Sequence, residues 1–239
     1  MEISGAVHTA VFIRRDNRFT ATVKIGHYLN PAFVPNSGRL EELLRLGREV
    51  LVECKGEVPG RKTSYEVIFA KGPKGWVSVD SRVPNKLFLE AFREKKIPVF
   101  WGYQNVKPEV SYKRSRLDFC LWGLEGEAAE RKPEKYYLEV KSVTLVKDGR
   151  MALFPDAPTE RGVRHLEDLI EAKKEGYGAG ILFCIQRPDA LYFSPYDEND
   201  PLFGNTLRAA KEAGVNIMAY RCLVDEKSVI MDRAIPVRL

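Results

Sequence analysis

Two carboxylates and a lysine carry the strongest chemical signal in this chain. Asp118 lies in the segment SRLDFCLWG, and Glu139 and Lys141 lie in the next apolar segment, KYYLEVKSV. In a strand, residues i and i+2 project from one face, so Glu139 and Lys141 point together and Val140 points away. Tyr136, Tyr137, Leu138, Val140 and Val143 mark that strand as largely buried. If the Asp118 strand lies alongside, two acids share an apolar environment, repel, and one is driven towards protonation. A Mg2+ ion, or Mn2+ in its place, removes the conflict, because it takes hard oxygen ligands and keeps several waters. Lys141 then orients or polarises the attacking water, and the chemistry is metal-assisted phosphodiester hydrolysis. The plain alternative is a cross-strand salt bridge between Lys141 and either acid, for which E-x-K spacing is sufficient.

Around this set stand groups suited to phosphate. In FPDAPTERG, Pro155 and Pro158 stiffen the approach to a helix opened by Thr159. The N–H groups of residues 159–162 form an anion site beside Arg161, although a simple cap with Arg161 paired to Asp156 uses the same residues. Lys113, Arg114 and Arg116 precede Asp118 and either line the same groove or end a solvated strand. Nearer the N-terminus, Arg14, Arg15, Arg18 and Phe19 straddle a hairpin turn, where cations track phosphates and a ring can stack on a base. Phe19 by itself reads better as core. Asn36, Ser37, Gly38 and Arg39 add small polar groups, a glycine that admits close backbone approach and one more cation, on what is also a turn and a helix cap. His8, His27 and His165 are scattered and show no ligand or triad spacing. No GxSxG, Walker loop or GxGxxG is present.

The elements that must position these residues fall into two groups. AVHTAVFIRR, FTATVKIGHYL, REVLVECKG, TSYEVIFAKG and GWVSVD read as five strands, separated by turn residues such as Asp16-Asn17, Pro59-Gly60 and the run Gly72–Gly75. A short helix, RLEELLRLG, capped by Asn36 or Ser37, interrupts them. That is the pattern of an OB-fold barrel over residues 1–82, with a plain β-sandwich as the alternative. From residue 83 the grammar changes. The expected order is a helix (VPNKLFLEAFREKK, starting at Pro84 or Asn85), three strands, the long helix TERGVRHLEDLIEAKKEG, the strand GAGILFCIQ, the helix NTLRAAKEAG and the strand VNIMAYRCLV. This predicts a second domain over residues 83–239, an α/β mixed sheet flanked by helices.

Composition bounds the function. The chain has 239 residues, 44% of them hydrophobic, enough for one or two packed domains. No stretch is long and apolar enough for a membrane helix, and the N-terminal segment lacks signal-peptide grammar, so the expected location is the cytoplasm. Cys54, Cys120, Cys184 and Cys222 form no CxxC pair, which argues against structural zinc. Charged residues make up 30% with only two glutamines, a bias suggesting a heat-adapted source. The net charge is +5, of which residues 1–82 contribute +4, a pointer to a polyanionic partner at that end.

An acid in one strand, E-x-K in the next and then a long helix is the order of the PD-(D/E)xK nuclease core. In that core a preceding helix often supplies another acid, for which Glu90 is the candidate, although Glu90 is equally at home as a solvated helix residue. The chain also resembles the sugar fermentation stimulation protein (SfsA) family over essentially its whole length. The residues that carry the resemblance are RRDNRF (Arg14–Phe19), VPNSGRLEELL (Val34–Leu44), VPNKL (Val83–Leu87), SRLDF (Ser115–Phe119), LEVKSVTL (Leu138–Leu145), FPDAPTERGVRHLEDL (Phe154–Leu169) and YFSP (Tyr192–Pro195). The resemblance implies an N-terminal OB-like domain, a C-terminal PD-(D/E)xK-type domain, DNA binding, and a link to the regulation of sugar use. Asp118, Glu139 and Lys141 match the nuclease positions. The expected function is therefore a DNA-binding protein, with RNA not excluded as substrate, carrying a Mg2+-dependent nuclease site. The alternative is a non-catalytic DNA-binding regulator of sugar-utilisation genes.

Overall fold

The computed structural model describes residues 1–56, 60, 62–126 and 128–239; Pro59 of the expected Pro59-Gly60 turn lies outside them. The N-terminal domain contains β1 (Ala6–Asn17), β2 (Thr20–Ile25), β3 (Tyr28–Phe33), β4 (Glu49–Cys54), β5 (Tyr65–Gly72) and β6 (Gly75–Ser78). They pair in the order β3-β2-β1-β4-β5-β6, and β3 also pairs in parallel with β5 through Ala32–Tyr65 and Phe33–Glu66. Strands β1 to β5 thus close on themselves, which is the pairing circuit of an OB barrel and not of a sandwich. Alternate residues of each strand fill it: Ala10 and Phe12, Ala21 and Val23, Val50 and Val52, with Val67 and Ala70 from β5.

Two expectations for this domain are corrected. FTATVKIGHYL is two strands, because Gly26 turns the chain with a φ of +57°, a conformation open to glycine. RLEELLRLG is a single turn, not a helix. Leu40 has a φ of +55°, which breaks the helical run at its start, and Leu40, Leu43 and Leu44 are all buried in the barrel core.

The C-terminal domain contains α1 (Val83–Arg93), β7 (Tyr103–Tyr112), β8 (Ser115–Leu124), α2 (Ala128–Arg131), β9 (Lys135–Val143), β10 (Val146–Lys147), β11 (Met151–Phe154), α3 (Glu160–Lys174), β12 (Gly178–Ile185), β13 (Tyr192–Pro195), α4 (Pro201–Glu212), β14 (Asn216–Val224) and β15 (Val229–Ala234). Its main sheet runs β15-β14-β12-β9-β8-β7, with β9, β12 and β14 parallel and the outer neighbours antiparallel. The continuous apolar run of β12 fits its central place, buried on both faces. One face carries Ile181, Phe183 and Ile185 against α3 and α4. The other carries Leu138, Val140 and Leu182, and packs on α1 together with Leu51, Ile68, Phe69 and Trp76 from the barrel. The two domains therefore share a hydrophobic core. The short strands β10, β11 and β13 form a separate three-stranded sheet and were not expected. Among the described residues, no helix is long and apolar enough to cross a membrane.

Polar groups lock the same junction. Gln186 accepts from the Ser78 hydroxyl at 3.0 Å and donates to Ser142 Oγ at 2.9 Å and to the Asp80 carbonyl at 3.2 Å. Arg187, 1% exposed, grips Asp189 at 2.7 and 2.8 Å, the Thr144 carbonyl at 2.7 Å, and the Glu42 carboxylate of the N-terminal domain. Removing the cation leaves the buried Asp189 and the partly exposed Glu42 uncompensated. Arg187→Met should lower the unfolding free energy from urea titration by about 3–5 kcal/mol; a loss below about 1 kcal/mol, the worth of a surface pair, would mean that the junction does not depend on it.

Candidate functional site

β8 and β9 pair from Trp122–Lys135 to Phe119–Leu138, and there the ladder stops. At the next position Asp118 takes over: its Oδ2 accepts the Val140 backbone N–H at 2.8 Å, where a strand carbonyl would otherwise serve. Asn85, in the first turn of α1, donates to Asp118 Oδ1 at 3.0 Å. On β9, Glu139 is 3% exposed, and its Oε1 accepts from Lys141 Nζ at 2.6 Å and from His165 Nδ1 at 2.5 Å. Arg161 Nε donates to His165 Nε2 at 3.2 Å, which calls for the tautomer with its proton on Nδ1. Glu139 Oε2 is buried and has no partner among the described residues.

The electrostatics follow from this crowding. Burial, then the neighbouring Glu139, pushes the Asp118 carboxyl up to about 6, against the pull of the Val140 N–H and Asn85. Burial also works to raise Glu139, but Lys141 and His165 outweigh it and hold that carboxyl below the usual range. One acid is thus stabilised as an anion by its own neighbours, while the other is not.

These groups form the floor of a cleft of about 400 Å3. One wall comes from the N-terminal domain, with Arg18 and Asn36, Ser37 and Gly38. The opposite wall is the segment from Phe154 to Thr159, with Arg161 at its end. The walls touch: Arg39 N–H donates to Asp156 Oδ2 at 3.0 Å, and a Cβ on Gly38 would stand 2.3 Å from that oxygen. The cleft therefore unites NSG, FPDAPT, Asp118 and E-x-K, which are far apart in the sequence.

Several sequence-derived assignments need correction. Glu90 is not at the cleft. It points towards the amino group of Met1, 2.8 Å away, because it stands five residues along α1 from Asn85 and so on a different side of the helix. Arg15 cannot serve phosphate. A guanidinium has five N–H donors, and Arg15 commits them to five carbonyls: Asn17 at 3.3 Å, Gly38 at 3.0 Å, Arg39 at 3.1 Å, Arg18 at 2.5 Å and Asn36 at 2.7 Å. Lys113, Arg114 and Arg116 lie at the β7–β8 hairpin and pair with Glu175, Glu167 and Glu109; none lines the cleft. Arg14 pairs with Asp16 in its own turn at 2.7 Å. Arg39 is exposed beside a second cavity of about 250 Å3, on the far side of the Asp156 contact. At α3, Thr159 Oγ1 caps Gly162 N at 3.0 Å and Thr159 N donates to Asp200 at 2.9 Å, so any anion site there is narrowed to the N–H groups of Glu160 and Arg161.

His165 and Asn85 went unrecognised as site residues. His165 and Asp168 are polar residues on the buried stripe of α3, a pattern that flags a functional contact. The sequence marks Pro84 or Asn85 as the helix start; α1 begins at Val83 after Arg82 in the cap position, which puts Asn85 inside its first turn.

Comparison with known proteins is consistent across the chain. Residues 82–228 match the family model described as the sugar fermentation stimulation protein RE domain, and residues 13–79 match that of the SfsA N-terminal OB domain. The sugar fermentation stimulation protein homolog of Clostridium acetobutylicum is 42% identical over 239 residues, covering all of both chains. That of Clostridium perfringens is 44% identical over 229 residues, 96% of each. The structure of Pyrococcus furiosus SfsA in complex with Ca2+ superposes with a TM-score of 0.87 at 29% identity, over 100% of this chain and 98% of that one.

The coupling of the two acids is measurable. In metal-free protein, the Asp118 carboxyl carbon followed by NMR should titrate with a midpoint at about 6, and Glu139→Gln should lower that midpoint. Because this value is raised by folding from 3.8, Asp118's contribution to stability is present below 3.8 and is lost as pH rises through about 6. A midpoint that is the same in wild type and Glu139→Gln would show that the acids do not interact.

Proposed function

The chain belongs to the sugar fermentation stimulation protein (SfsA) family, and from the geometry of its cleft we propose that it binds DNA and hydrolyses phosphodiester bonds with a Mg2+ or Mn2+ ion held by Asp118 and Glu139. The observation that carries this reading is Glu139 Oε2, buried without a partner, beside a second acid whose carboxyl is driven up by burial and then by the first. An oxygen so placed lacks a cation or a proton donor. Among the described residues no group of three His, Cys, Asp or Glu side chains gathers to hold a metal. That suits Mg2+, which is commonly held by one or two carboxylates and completes its shell with waters and substrate phosphate oxygens. The Ca2+ named with the Pyrococcus furiosus relative is likewise a cation of oxygen ligands, which supports a hard-cation site.

A bound ion would polarise the phosphoryl oxygen and lower the pKa of an attacking water. The protein's own groups divide the remaining work. Lys141 holds its ammonium 2.6 Å from Glu139 Oε1 at the cleft floor, where it can orient water and stabilise charge developing on the phosphate. His165 fixes the Glu139 carboxylate through Oε1 and Arg161 fixes the His165 ring, which leaves Oε2 without a partner. Arg18 on the opposite wall supplies a cation for a neighbouring phosphate. The +4 charge of residues 1–82 and the match to an OB domain support nucleic-acid binding from that side.

A second reading has its own observation. Lys141 and His165 already bond Glu139 Oε1 at 2.5–2.6 Å, as expected of a non-catalytic DNA-binding regulator that keeps the fold as a scaffold. Calorimetry and cleavage assays separate the two. On the nuclease reading, Asp118→Asn and Glu139→Gln each weaken Mg2+ or Mn2+ binding and abolish cleavage of plasmid and single-stranded DNA, while Lys141→Ala keeps the metal and loses most turnover. Equal, weak metal binding by wild type and both carboxylate variants, with no cleavage, would leave the regulator.

For binding, Arg18→Ala should flatten the dependence of log affinity on log salt by about one unit. Arg15→Ala should act through loss of fold stability instead. An unchanged slope in Arg18→Ala would remove that wall from the nucleic-acid path.

A further inference from the structure

We infer that the cleft accepts single-stranded nucleic acid, or a strand frayed from a duplex, and excludes intact duplex; this rests on the nuclease reading above and names its substrate class. The reacting groups lie deep. Glu139 is 3% exposed and Asp118 half-buried, so a phosphate resting on the rim does not reach them. The cleft holds about 400 Å3, room for a single sugar-phosphate and not for a duplex, whose major groove alone is about 12 Å wide.

The walls also resist widening. The NSG loop meets the opposite wall where Arg39 N–H bonds Asp156, with Gly38 too close to that carboxylate for even a methyl group. Behind the loop, Arg15 ties the carbonyls of Asn36, Gly38 and Arg39 to its own hairpin. Opening the cleft to duplex width would break this set together. A single strand needs no such opening, since one sugar-phosphate with its base turned aside can enter alone.

The rim offers what an unpaired strand uses. Phe19, beside Arg18, is 43% exposed despite its size, and its ring stacks on Phe33 at 6.2 Å between centroids. The Arg18 guanidinium lies 5.5 Å from the Phe19 ring centroid. An exposed ring with a cation over it, next in the chain to the Arg18 that lines the cleft, would serve as a stacking platform for the base that flanks the entering nucleotide. Bases inside a duplex are already stacked and cannot use it.

The test uses the full chain with Mg2+ or Mn2+ and one labelled DNA sequence in three forms: single strand, blunt duplex, and duplex with a single-stranded overhang. The single strand and the overhang should be cut at least ~100-fold faster than blunt duplex, because a paired base must first be unstacked and unpaired. Cuts in the third substrate should fall within the overhang. Phe19→Ala should raise KM for the single strand and leave kcat unchanged. Ser37→Trp, which fills the wall, should lower single-strand cleavage while metal binding by calorimetry stays as in wild type. Equal rates on single strand and blunt duplex overturn this inference and leave the nuclease reading standing. No cleavage of any form, with metal bound or not, removes both. An unchanged KM in Phe19→Ala removes the stacking platform from the path.

Discussion

Two carboxylates held side by side in a mostly buried sheet set the terms for everything around them. Charge is expensive away from water, and two like charges more so. The molecule meets that cost with neighbours drawn from three elements of the chain. Lys141 comes from the same strand as Glu139, His165 from α3, Asn85 from α1, and the Val140 N–H from the ladder that Asp118 interrupts. Each constrains an element: β8 must leave β9 at Asp118, α1 must begin beside it, and α3 must present one face over β9. Even so, one oxygen of Glu139 is left unmatched. An arrangement that satisfies three of four carboxylate oxygens and strands the last in a cleft is poor as a structural salt bridge, and reasonable as a site awaiting a cation.

The junction of the two domains is the second determinant. The barrel presents Leu51, Ile68, Phe69 and Trp76 to the same core as the main sheet, so it behaves as part of one packed body. That rigidity has a chemical use. The NSG loop can form one wall of a cleft whose floor belongs to the other domain only if the two are held in register. Gln186 and Arg187 do this from behind. They lie just beyond β12 and reach Ser78, Asp80 and Glu42 on one side, and Ser142 and Thr144, the residues that follow Lys141, on the other. A shift at this clamp would move the wall and the floor relative to each other.

Several cations that looked alike in the sequence have separate fates. Arg15 is a tie between loops, Arg161 orients an imidazole, Arg14 and the cations of the β7–β8 hairpin pair with nearby acids, and Arg18 alone of the Arg14–Arg18 group lines the cleft. The positive charge of the first 82 residues is therefore less concentrated on the cleft than its arithmetic suggests. What faces the cleft is a small number of cations set beside deep acids.

What the sequence by itself determined is what depends on local periodicity. Glu139 and Lys141 share a face because i and i+2 do so in any strand. The barrel strands show in their alternation, the central strand in its unbroken apolar run, and α3 in its Thr159 cap and 3.6-residue stripe. The tertiary structure decided everything that depends on which distant residue arrives opposite. Asn85 and not Glu90 meets Asp118, because the packing of α1 against the sheet chooses which side of the helix turns towards β8. Three of the five carbonyls that consume Arg15 lie more than twenty residues away, a partner set with no sequence signature. His165 looked isolated because its partners, Glu139 and Lys141, lie on another element and meet it only when α3 folds across β9. The leucines at Leu40, Leu43 and Leu44 have helical spacing and predict a helix; they are buried instead by closing the barrel, which no local pattern records. Hydrogen-bond partners and helix orientation are set by contacts between segments far apart in the chain, and a linear pattern carries the period of a segment but not the identity of its neighbour.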